Sequence, residues 1–159
     1  MKTRTVTIAR NDILFDVDAA THAFSTANWA KDPRKADSLE SDSGDATNLS
    51  MLQRFKDHRI AELKDRLSRF LTTETSSSAT GAIDTSASVV FSFNVEDAFQ
   101  DELLAPLAKA VQDYISKGVI ADWYKTNGDQ QFTAYAQDLQ PLYDRIVNYL
   151  VSRKFPTRV

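Results

Sequence analysis

Leu103–Tyr124 reads LLAPLAKAVQDYISKGVIADWY, and this stretch decides the fold. Leu103, Leu107, Val111, Tyr114, Gly118 and Trp123 return at helical spacing, and Leu104, Ile115, Val119 and Ile120 widen the apolar stripe over much of the circumference. Such a helix has to be central, with other elements packed around it. Pro106 removes a backbone donor early in the run, so a short leading turn near Leu104 precedes the main helix. Asn127-Gly128 closes it, and Asp129 is placed to cap the next one. In that next helix Phe132, Tyr135, Leu139, Leu142, Ile146 and Tyr149 recur at alternating spacings of three and four, a seam suited to lengthwise packing. Pro141 lies inside it and predicts a kink.

Working outward, Val89-Val90-Phe91-Ser92-Phe93-Asn94-Val95 alternates with Val89, Phe91, Phe93 and Val95 on one face, the pattern of a strand. At the other end of the chain residues 2–8 alternate as well. Thr3, Thr5 and Thr7 face one way, and Val6 and Ile8 face the other with Lys2 and Arg4. Residues 3–8 and 89–95 are natural partners, since a lone strand leaves its backbone groups unpaired. Asn94 or its neighbour is positioned to cap the following helix, with Glu96 and Asp97 complementing its dipole.

Two further helices are expected. Asn11 opens one over roughly 11–29, with Ile13, Val17, Ala20, Phe24 and Ala27 on its stripe. The other runs from about Leu49 to Leu71, with Leu52, Phe55, Ile60, Leu63, Leu67 and Phe70 inward and Lys56, Asp57, Arg59, Lys64, Asp65, Arg66 and Arg69 around them. The polar segment 31–48 reads as a long mobile loop. The Ser/Thr-dominated segment 72–88 reads as a flexible connection or an arm that orders on contact. The expected architecture is a single mainly α domain over 1–159, a bundle of about four helices with a small two-stranded β element.

Composition narrows the function. The chain has 159 residues, 42% of them hydrophobic, and a net charge of -3, which supplies no global attraction to nucleic acid or an anionic membrane. It has no cysteine, which excludes disulfides, thiolate catalysis and cysteine zinc sites. The polar start, Met1-Lys2-Thr3-Arg4-Thr5, leads into no apolar run, so no signal peptide is expected, and no segment nears the about 18 consecutive apolar residues of a spanning helix.

No catalytic, metal or nucleotide signature emerges. His22 shares a helix face with Asp18, but a metal site needs a third ligand, and His58 sits on a charged face beside Asp57 and Arg59. The acids of 37–45 lack the alternation and closing glutamate of a calcium loop. Gly81, Gly118 and Gly128 are too far apart for a phosphate loop. Neither enzymatic activity nor a cofactor is expected.

The two ends differ from the rest. Lys2, Arg4 and Arg10 form one basic group, with Asp12 the first acid after it, and Arg153, Lys154 and Arg158 form another with no acid close by, while Phe155-Pro156 adds an apolar plug. These residues are either solvated ends or basic arms that dock on an acidic neighbour, with segment 37–45 of the same or another subunit as one such neighbour.

Leu107-Ala108-Lys109-Ala110-Val111, then Ile120-Ala121-Asp122-Trp123-Tyr124, Asn127 and Tyr135 resemble the head–tail connector (adaptor) proteins of tailed bacteriophages. In that family a helix carrying an Ala-Val element ends in an aromatic pair, and polar residues lead into another helix. The resemblance covers roughly 103–153, about a third of the chain. The sequence departs from the pattern at Pro141, in the Ser/Thr-rich lead-in to the strand (72–95), and at Asp122, which replaces a small or apolar residue.

The resemblance implies a structural virion protein at the neck, assembled in the host cytoplasm. About a dozen copies would form a ring that binds the portal protein and other neck or tail proteins. Genomic DNA would pass through without sequence-specific binding, and no membrane would be involved. In such a ring the C-terminal tail would meet the portal, making Arg153, Lys154, Phe155, Pro156 and Arg158 the candidate portal or subunit contacts, together with Lys2 and Arg4. The other reading of the same residues is a cytosolic helical protein-binding or regulatory module that pairs through the 132–149 seam.

Overall fold

The computed structural model describes residues 1–29, 43, 46–72 and 86–153, apart from the side chains at 24 and 27–29. The expectations for the rest of 31–45, for 73–85 and for the tail 154–159 lie outside the described residues, as do those for the side chains of Phe24 and Ala27. In chain order the elements are β1 (Lys2–Ala9), α1 (Arg10–Trp29), α2 (Ala46–Arg66), β2 (Ser88–Val95), α3 (Leu104–Thr126) and α4 (Phe132–Val151). Short 3-10 turns occupy Ser68–Phe70 and Asp101–Leu103. The fold is mainly α with a small two-stranded antiparallel sheet, as the periodicities require.

α3 is the central element. It packs along α4 and also meets α2, α1 and β1. Its buried residues fall all the way around the axis: Val111, Val119, Ile120, Tyr124 and Tyr114 lie at about 0°, 80°, 180°, 220° and 300° at 100° per residue. Tyr114 and Tyr124 are among the largest fully buried side chains, and burial pushes both phenols above their ordinary range. The start of α3 follows its sequence. The Asp101–Leu103 turn leads into Leu104, and Pro106 sits in the first helical turn, where a missing N–H breaks no intrahelical bond.

The turn between α3 and α4 is a Schellman motif. The Gly128 N–H donates to the Lys125 carbonyl at 3.1 Å and the Asp129 N–H to the Tyr124 carbonyl at 3.0 Å, with Gly128 at φ 68°. The Asp129 carboxylate then accepts the Gln131 N–H at 2.8 Å, an Asx turn leading into α4. α4 buries Leu139, Leu142, Ile146 and Leu150, while Phe132, Tyr135 and Tyr149 pack at the margin of the core. It runs through Pro141, which is exposed, as is Gln137, whose carbonyl loses its partner. The missing bond thus faces water.

β1 and β2 pair from Lys2↔Val95 to Ala9↔Ser88. Val6, Ile8, Val89, Phe91, Phe93 and Val95 point into the core. Three expectations need correction. Asn11 caps nothing, because β1 runs directly into α1 and the helix already begins at Arg10. Asn94 does not cap α3 either; it lies within β2, accepts a long 3.5 Å bond from the Thr3 hydroxyl, and is separated from α3 by a turn. Lys56 is not on a solvated face: it is fully buried, with its ammonium 3.2 Å from the Asp57 carboxylate.

Two side chains of α2 fasten it to the hairpin. The Arg66 guanidinium lies 3.7 Å from the Tyr143 ring centroid and donates to the Tyr114 hydroxyl at 3.2 Å and to Gln140 at 2.8 Å. Arg59 makes a two-pronged bond to Asp122, 2.8 and 2.7 Å, and a 2.7 Å bond to Glu62. This pair explains the acid at 122. It also explains Gly118, since a Cβ there would come within 2.7 Å of Arg59 Cδ and 2.9 Å of its Cγ.

The two glycines therefore answer to different constraints. Gly128→Ala should cost about 1 kcal/mol, from the left-handed backbone alone, because nothing lies within 4 Å of the added carbon. Gly118→Ala should cost about 1–2 kcal/mol net, from displaced Arg59, after the helix-propensity gain of about 1 kcal/mol. Urea unfolding in an Arg59→Ala background separates them: there Gly118→Ala becomes neutral or stabilising, and Gly128→Ala keeps its full cost.

Candidate functional site

The antiparallel register and the end of α4 bring the first residues of the chain and Arg153 to one pole. Because Lys2 lies opposite Val95, the residues just after β2 emerge beside the start of β1. The segment from Glu96 to Asp101 is the joint. The Arg4 guanidinium grips the Asp101 carboxylate with two bonds, 2.7 and 2.9 Å, and the Lys2 ammonium lies 3.4 Å from the same group while donating to the Phe99 carbonyl at 3.3 Å. The amino group of Met1 meets Asp97 at 3.0 Å. From the other end, Arg153 bonds Glu96 at 2.6 Å, its carbonyl accepts from the Gln100 side chain at 2.9 Å, and it forms an antiparallel bridge with Phe99.

Three of the seven candidate contacts, Lys2, Arg4 and Arg153, are therefore gathered on one surface. Sequence alone leaves these cations without nearby acids, and folding supplies Asp101 and Glu96. Lys154, Phe155, Pro156 and Arg158 lie outside the described residues. Glu96 and Asp97, read from sequence as helix-dipole partners, instead hold the chain ends. Arg10, grouped with the N-terminal cations in the sequence, sits at the far end of β1, where its N–H donates to the Ala87 carbonyl at 3.0 Å.

Beside this joint a cleft of about 280 Å³ opens between the β2 end and the last turn of α4. Phe70, Val95, Phe99, Leu150 and Val151 supply its apolar lining, and Arg69 and Arg153 stand on its rim. The Arg69 guanidinium lies 4.5 Å from the Phe70 ring centroid. Val151 is half exposed and Met1 almost fully so. An apolar hollow edged by Arg69 and by the Arg153–Glu96 pair is suited to gripping a protein segment, chiefly by apolar contact.

The features weighed for chemistry fall elsewhere. His22 and His58 are both exposed and lie on different helices, and Asp18 accepts a 2.6 Å bond from the Ser43 hydroxyl. Among the described residues, no group of three or more His, Cys, Asp or Glu side chains is placed to hold a metal ion. No described helix is long and apolar enough to cross a membrane. The aromatic residues of α3 and α4 stack on one another: Tyr124 and Tyr135 have centroids 5.7 Å apart, and Trp123 meets Tyr124 edge-on at 5.1 Å.

Arg4 and Lys2 hold the Asp101 carboxyl down at about 2, from an ordinary 3.8, chiefly through the Arg4 hydrogen bonds. The folded value is the lower one, so the contribution is present above the unfolded value and is lost as pH falls from about 4 through about 2. A carbon-detected titration of the Asp101 carboxyl should find its midpoint near 2, and Arg4→Gln should return it toward the ordinary carboxylate range. A wild-type midpoint in that ordinary range would mean the joint is open in solution.

No protein-family model matches the chain, and no curated protein or solved structure matches it either.

Proposed function

We propose that this chain is a structural virion protein, a head–tail connector subunit that forms a ring between portal and tail in the neck of a tailed phage. The observation that carries the reading is the convergence of Lys2, Arg4 and Arg153 on one pole, next to an apolar cleft. A ring subunit needs such a localised surface, because head-to-tail contacts join two different patches of the same molecule. The stretch that resembles the connector family, roughly 103–153, folds into the α3–α4 hairpin and ends at that pole. In the proposed assembly the hairpin is the rigid body, and the pole with the tail beyond it meets the portal. DNA passes through the ring, and the chain's part is mechanical.

Electron microscopy of the full chain mixed with a purified tailed-phage portal tests this, alongside a truncation lacking residues 153–159. The truncation loses the exposed Arg153–Glu96 pair, the Gln100 bond to the Arg153 carbonyl and the Phe99 bridge, all at the margin of the fold and outside its core, so its fold should persist. Rings seated on the portal with the full chain, and absent with the truncation, are the expected result. A compact species indifferent to both portal and tail would overturn the connector reading in favour of a helical binding module.

A further inference from the structure

The sheet has two edges, and they are not alike. In an antiparallel ladder residues alternate between those whose N–H and C=O face the partner strand and those whose groups face away. The Arg10 N–H donates to the Ala87 carbonyl at 3.0 Å, and this pair continues the register of Ala9↔Ser88. Counting back from it, Ile8, Val6, Arg4 and Lys2 face β2. The backbone groups of Thr3, Thr5 and Thr7 face away.

The same count on β2 turns Ser88, Val90, Ser92 and Asn94 outward. That edge is covered in part: the Thr72 N–H donates to the Ser92 carbonyl at 2.9 Å, and Leu71 bridges Phe93. On the β1 edge the Thr3 carbonyl accepts only a long 3.4 Å bond from the Arg4 side chain. Among the described residues no backbone bond reaches the outward groups of Thr5 or Thr7. All three threonine side chains are exposed. β1 has no proline and no bulge within it to disrupt pairing.

We propose that the β1 edge pairs antiparallel with β1 of a second copy of this chain, about a two-fold axis through Thr5. The sequence is self-complementary for this register. Thr3 meets Thr7 of the second copy, Thr5 meets Thr5, and Thr7 meets Thr3, so the outward groups pair and threonine stands opposite threonine. On the other face Arg4 lies opposite Val6 and Lys2 opposite Ile8, so no cation directly opposes a cation. The result is one four-stranded sheet, β2-β1-β1-β2, with a continuous hydroxyl face extending the existing Thr5–Ser92 contact. The pair is a form of the free chain and does not rest on the ring reading, since it closes on itself without a portal.

Sedimentation equilibrium of the full chain, over a dilution series from micromolar to millimolar, should show the mass rising from 17.8 kDa toward twice that value. Thr5→Lys puts two ammonium groups face to face at the axis and leaves the backbone alone. It should weaken association by about tenfold or more, with partial recovery at high salt. Thr5→Pro removes an N–H that β2 does not use, so the circular dichroism and melting temperature should hold while the pairing is lost. A wild-type mass of 17.8 kDa at every concentration would overturn the proposal. So would a dimer equally tight in Thr5→Lys, a result that stands even if the proline variant fails to fold.

Discussion

A helix that is apolar over most of its circumference exists in water only if other elements enclose it, and α3 is such a helix. Each remaining element has a place because α3 has a side to cover. α4 takes the longest flank, α2 and α1 take others, and β1 closes over a further one. The polar ties sit where the packing leaves a gap. The Asp16 carboxylate accepts from Gln112 at 2.8 Å and from buried Ser116 at 3.3 Å, fixing α1, and Arg59 crosses over Gly118 to Asp122, fixing α2. Both carboxylates are satisfied by donors from a facing helix, the condition under which polar groups are tolerated near a core.

Much of this was legible from residue patterns. Periods of two and of three-to-four are properties of the chain itself, so the strand pair, the central helix, the Gly128 turn and the α4 seam could all be read directly. The misreadings share a different cause. Caps and charge partners are set by what folding places nearby in space. Asn11 has the right chemistry for a cap, but the strand before it leaves no room for one. Lys56 sits in a run of charges and yet is buried, because burial depends on what packs over a position and not on its neighbours in sequence.

The pole where the chain ends meet occupies the middle ground. Once residues 3–8 are paired antiparallel with 89–95, Lys2 and Arg4 must lie close to residues 96–101. Asp101 was therefore derivable as their partner, and the signal was the register rather than any local motif. The acids at 96 and 97 were assigned to a helix dipole because a helix follows, but the turn that intervenes frees them for Arg153 and the amino terminus. The individual ion pairs are exposed and each is worth little. Their combined effect is geometric: one six-residue segment sets the relative position of the first strand and the last helix.

That same register dictates an order of events on the ribosome. The α3–α4 hairpin closes through a tight turn, whereas β1 must wait for a strand some eighty residues further along the chain. At a synthesis rate of about 5–20 residues per second, Val6 and Ile8 stay without their cross-strand partners for on the order of 5–20 s. Through that interval the nascent chain carries an alternating, β-branched segment with both edges bare. Lys2 and Arg4, before their carboxylate partner has been made, then disfavour parallel, in-register pairing of neighbouring copies on a polysome, in which each cation would face its own kind.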